Sequence, residues 1–76
     1  MTWAQAMGRA LRQRREELGL SRLALCADAG VSENHLLRFE LGRQGFSLAL
    51  LERVCLACGL SLAALACYAT RHMELS

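Results

Sequence analysis

The side chains with the widest hydrogen-bonding repertoire gather in one short stretch of the chain. Glu33, Asn34, His35 and Arg38 fall within six residues, at spacings that set them along the outer side of a helix, while Leu36 and Phe39 take the inner side. An accepting carboxylate, a carboxamide that donates and accepts, an imidazole and a guanidinium fork are the groups that read base edges in a groove. All nine basic side chains are arginine, so every cationic contact comes from a planar guanidinium suited to phosphate and to the guanine O6/N7 edge. Arg9, Arg12, Arg14 and Arg15 crowd the first segment, but Glu16 and Glu17 follow directly. That cluster reads equally as phosphate-facing or as an ordinary solvated helix face.

Other chemistries find less support. Cys55 and Cys58 form a C-x-x-C, but they stand at helical i, i+3 spacing between Val54 and Leu60. There is no second C-x-x-C, and only His35 and His72 could add nitrogen ligands. Core packing is the expectation for both, and for Cys26 and Cys67, with the thiols reduced and no metal bound. A Gly-rich phosphate loop, paired carboxylates and a nucleophile with a base at motif spacing are all missing, so neither an enzyme nor a cofactor is expected. A net charge of +2 with a pI near 8.5 is too weak a bias to name a partner alone. The N-terminus lacks the signature of a signal peptide, and no apolar run reaches membrane-spanning length. The expectation is a cytoplasmic protein without a membrane partner.

Positioning these residues falls to helices. The chain of 76 residues contains no proline and is 54% hydrophobic, much of it Leu and Ala, which indicates one all-α domain with more apolar side chain than a monomer of this size hides. Thr2, Ser21, Ser32, Ser47 and Ser61 stand as N-caps before apolar stripes of helical period, and Gly19, Gly30, Gly42 and Gly59 stand as stops. Five helices are predicted, over residues 2–18, 21–29, 32–41, 47–58 and 61–68. Met7, Leu11 and Leu18 share the inner stripe of the first, and Leu48, Leu51, Val54, Cys55 and Cys58 that of the fourth. The fifth segment is short and apolar enough to be a strand pairing with a second copy instead. The core is expected over about residues 4–68, with residues 70–76 a frayed tail and His72 idle within it.

The order and spacing of Leu11, Arg15, Gly19, Leu20, Ser21, Leu25, Gly30, Val31, Ser32, Leu36, Glu40, Gly42, Ser47, Leu48, Leu51, Gly59 and Leu60 resemble the Cro/phage-repressor, or XRE, family of helix-turn-helix regulators. The resemblance covers residues 7 to about 65. It implies a five-helix repressor-like domain with the helix-turn-helix at helices 2 and 3. It further implies a transcriptional repressor or autoregulator, usually a homodimer on a two-fold symmetric operator with half-sites about 34 Å apart. It places Ser21, Arg22, Ser32, Glu33, Asn34, His35, Arg38, Arg43 and Gln44 at the DNA. Asn34 suits adenine, Arg38 guanine, and Glu33 a cytosine amino group, while Arg22, Arg43 and the helix N-termini suit phosphate. By the same resemblance Arg15 and Glu40 form a structural ion pair. Leu50, Leu56, Leu62, Ala63 and Ala66 mark the C-terminal region where the family dimerises.

The chain departs from the family at three places. Arg22 stands where Gln is common, Leu37 where a small hydroxyl residue is frequent, and Phe46 where Pro often leads into the fourth helix. Leu23 and Leu41 fit neither the core nor the dimer patch. These leucines keep a second reading open: an antitoxin or adaptor on the same scaffold, binding a protein partner such as a toxin.

Overall fold

In the computed structural model, which describes residues 1–75, each helix starts on a side-chain hydroxyl. The helices are α1 (Trp3–Glu17), α2 (Arg22–Ala29), α3 (Glu33–Glu40), α4 (Leu48–Ala57) and α5 (Leu62–Leu75). Thr2, Ser21, Ser32, Ser47 and Ser61 each accept the backbone N–H three residues on, at 3.0–3.2 Å. Each such cap is worth about 1 kcal/mol to its helix. Gln5 returns a bond to the Thr2 N–H at 2.9 Å, completing a capping box. The turn between α2 and α3 rests on Gly30, whose φ of 72° is left-handed and whose N–H reaches the Cys26 carbonyl at 2.8 Å. A side chain there would be strained by the backbone and would also meet the Arg53 guanidinium, 2.5 Å from the position of its Cβ.

The apolar stripes converge on one core: Ala6, Ala10 and Leu11 of α1, Leu25, Cys26 and Ala29 of α2, Leu36 and Phe39 of α3, Val54 and Cys55 of α4, Cys58 and Leu60 beyond it, and Leu65 and Ala69 of α5. Burying each leucine contributes about 1.5 to 3 kcal/mol. α1 lies between α5 and α3, and α2 bridges α3 and α4. The small residues of α1 make this possible. A Cβ on Gly8 would sit 2.2 Å from the Phe39 carbonyl oxygen and 2.6 Å from that of Glu40. Only a bare backbone lets α1 approach the end of α3 so closely. Among the described residues all regular structure is helical, and no single helix is long and apolar enough to cross a membrane.

The segment after residue 61 is the predicted fifth helix and not the alternative strand, but three expectations need correction. The helix continues through residues 70–75 instead of fraying; Ser76 lies outside the described residues. Leu62, Leu65, Ala69 and Met73 pack on the core as one stripe, Thr70 Oγ1 donates to the Ala66 carbonyl at 2.9 Å, and His72 Nε2 lies 3.1 Å from Gln13 Oε1. The polar residues after Tyr68 resemble a tail because they form the outer face of a helix whose inner face has only Ala69 and Met73 to show. Cys67 is exposed rather than core. Leu18 and Leu48 also point outward: Leu18 caps the end of α1, and Leu48, the first residue of α4, is 72% exposed.

Candidate nucleic-acid interface

α3 is fixed from behind and open in front. Leu36, Phe39 and Glu40 are buried, whereas Glu33, Asn34 and Arg38 are exposed and Leu37 is half-buried. Ser32 and Ser21 spend their hydroxyl oxygens on the caps of α3 and α2, which leaves each O–H proton free to donate. Arg38 Nη1 lies 3.4 Å from Gln44 Oε1, so the outward guanidinium borders the loop after α3. Arg43 and Gln44 are exposed on that loop.

The rear fixing is electrostatic as well as apolar. Arg15 meets Glu40 through two bonds, Nε to Oε2 at 2.8 Å and Nη2 to Oε1 at 3.2 Å, and its Nη1 donates to the Leu20 carbonyl at 2.8 Å. The hydrogen bond to Glu40 raises the Arg15 pKa further above its ordinary value against the opposing effect of burial. Arg22 also reaches this carboxylate, Nε to Oε1 at 2.9 Å, so one carboxylate ties α1, α2 and α3 together. Two guanidiniums against one carboxylate leave an excess positive charge at the start of α2. The Arg22 side chain is 34% exposed, and that of Glu40 1%.

His35 is half-buried and engaged: its Nε2 lies 3.0 Å from the Gly45 carbonyl and its ring 4.3 Å from that of Phe46. Phe46 in turn stacks on Phe39 at 4.7 Å. Of the apolar patch read at the C-terminal end, Leu56 (64% exposed), Ala63 and Ala66 face solvent, whereas Leu50 and Leu62 are half-buried. Leu23 and Leu41 are 64% and 45% exposed. Gly8 was not legible as a site residue, since a lone glycine inside a helical pattern carries no signal of what approaches it. Arg53 carries no such signal either, yet its guanidinium laps the turn at Gly30.

The thiols stand apart from this face. Cys55 and Cys58 are buried, and burial together with the neighbouring Cys58 pushes the Cys55 thiol up to about 11. The thiolate, the form that attacks a disulfide or binds a metal, is disfavoured there. Among the described residues no three His, Cys, Asp or Glu side chains come together.

Residues 6–66 match the helix-turn-helix domain family. Two solved structures of the clp gene regulator ClgR from Corynebacterium glutamicum are similar to this chain. One is 34% identical with a TM-score of 0.92, over 96% of this chain and 94% of that one. The other is 35% identical with a TM-score of 0.94, over 99% of this chain and 80% of that one. No curated protein matches the sequence. With its helices 2 and 3 joined by a glycine turn and the outer face of the second left open, the chain belongs to the helix-turn-helix domain family of DNA-binding transcriptional regulators.

Proposed function

We propose that this regulator binds a two-fold symmetric operator as a homodimer, with α3 in the major groove, and represses by occupying a promoter inside the cell. The observation that carries the reading is the contrast on α3: Glu33, Asn34 and Arg38 are exposed on a helix whose inner side and end are buried. Asn34 and Arg38 are the groups for adenine and guanine edges, with Glu33 accepting from cytosine or excluding other bases. Ser21, Ser32, Arg22, Arg43 and Gln44 hold phosphates around them. The role is binding without catalysis and needs no cofactor. Leu56, Ala63 and Ala66, with the half-buried Leu50 and Leu62, supply the apolar face of the dimer.

The test is a fluorescence-anisotropy titration with DNA flanking the protein's own gene and with a randomised pool, at two salt concentrations, for wild type and Arg38→Ala. Selective binding that Arg38→Ala weakens by about 1 to 3 kcal/mol supports direct readout. Weak, steeply salt-dependent binding that is equal for all sequences and unchanged in the variant overturns it. In parallel, Leu56→Glu is expected to leave a monomer by sedimentation. Exposed Leu23 and Leu41 favour a second reading, an adaptor for a protein partner. That reading gains if DNA binding fails while Leu23→Ala abolishes capture of a defined partner.

A further inference from the structure

We propose that His35 is a positioning residue, which with Phe46 latches the loop of residues 43–46 onto α3 and so holds Arg43 and Gln44 in place for DNA. The inference rests on the DNA-binding reading above and assigns His35 a task other than base contact. A carbonyl oxygen accepts only, so the Nε2 facing Gly45 at 3.0 Å carries the proton and donates. The ring nitrogen best placed to leave the helix is thereby spent on the loop.

The aromatic contacts continue that bond inward. His35 lies 4.3 Å from Phe46, and Phe46 stacks at 4.7 Å on Phe39, which is buried in the core. The loop has little else to hold it. Its Arg43 N–H reaches the Arg38 carbonyl at 2.8 Å, but nothing lies within 4 Å of the Cβ position at Gly45. Gln44, whose carboxamide borders Arg38, sits between these two ties. Fixing the loop before DNA arrives removes an ordering cost at the moment of binding.

The two tasks for His35 differ in outcome. The latch predicts that His35→Ala and Phe46→Ala each weaken binding about three- to tenfold on every sequence and lower the salt slope by about 1. The double variant should be little weaker than either single one, because both break the same latch. Phe46→Tyr, which keeps the ring, should restore binding. In DNA-free protein, the backbone order parameters of residues 44–46 should fall in both alanine variants, and in His35→Ala the thermal midpoint should move little.

A base-reading histidine instead predicts that His35→Ala relaxes preference at one base pair while Phe46→Ala binds as wild type. That result, or unchanged order parameters at residues 44–46 in His35→Ala, overturns the latch. Failure of the parent reading looks different: the wild type itself would show no sequence-selective binding, whatever the loop does.

Discussion

α3 has a carboxylate at its C-terminal end that is met by guanidiniums from α1 and α2, and a carboxylate and a guanidinium of its own along its exposed face. At the end, Glu40 is buried and bonded to Arg15 and Arg22. Along the face, Glu33 and Arg38 are exposed and enter no ion pair among the described residues. The same functional groups therefore do opposite jobs according to burial. Charges taken out of water must be satisfied within the fold and so fix its geometry. Charges left in water keep their hydrogen-bonding capacity for whatever docks. A recognition helix needs both, because an outward face reads only as well as its rear is held.

The sharpest way to break this contrast is to neutralise the two glutamates separately. Glu40→Ala leaves Arg15 buried without its carboxylate and should cost about 3 to 5 kcal/mol of stability. Glu33→Ala should change stability by no more than about 0.5 kcal/mol. Thermal unfolding measures both, and equal shifts would remove the distinction between a holding and a reading carboxylate.

The thiols draw the same line. Cys55 titrates near 11 in the folded protein, against an ordinary value of 9.0. The folded state therefore keeps a proton that the unfolded chain loses, and the stability this provides is present below about pH 9 and lost as pH rises towards 11. Cys55 alone should account for about 2 kcal/mol across that window. Burial shifts Cys26 and Cys58 in the same direction. Denaturant titrations from pH 8 to 11 would show the decline. In native protein an alkylating reagent should take the exposed Cys67 well before the three buried thiols; uniform labelling of all four would contradict the core.

Gly8→Ala tests the rear fixing through shape rather than charge. Alanine is the better helix former, yet its methyl would press on the Phe39 and Glu40 carbonyls. A net loss of about 1 to 3 kcal/mol is expected, and a gain in the thermal midpoint would mean that α1 and α3 can part without penalty.

Much of this was legible in the sequence and the rest was hidden for physical reasons. The hydroxyl caps and glycine stops are local chemistry, so five helices and the turn at Gly30 could be read directly. The Arg15 and Glu40 pair was visible through the resemblance, but Arg22 joining it was not: its pairing depends on where α2 lies across α3. For His35, helical spacing reports which side the residue faces and not which loop lies beside it, so its bond to the Gly45 carbonyl, ten residues further on, was not legible. The stripe that carries α5 to Leu75 was lost because its inner residues there are a small alanine and one methionine amid polar neighbours.

The smallest expected effect separates reading from holding on the outer face itself. Arg38 projects from α3, while Arg43 sits on the loop beside it, and both are exposed. If Arg38 meets a guanine edge, Arg38→Ala should lose selectivity at one base pair. If Arg43 meets a phosphate, Arg43→Ala should weaken every sequence alike, by less, and lower the salt slope by about 1. Measuring both variants on an operator and on single-base variants of it, at several salt concentrations, decides the matter. Should Arg43→Ala change the base preference instead, the loop would itself be reading sequence. The division between a reading helix and a holding loop would then fall, while the contrast between Glu40 and Glu33 would stand, since it depends on burial alone.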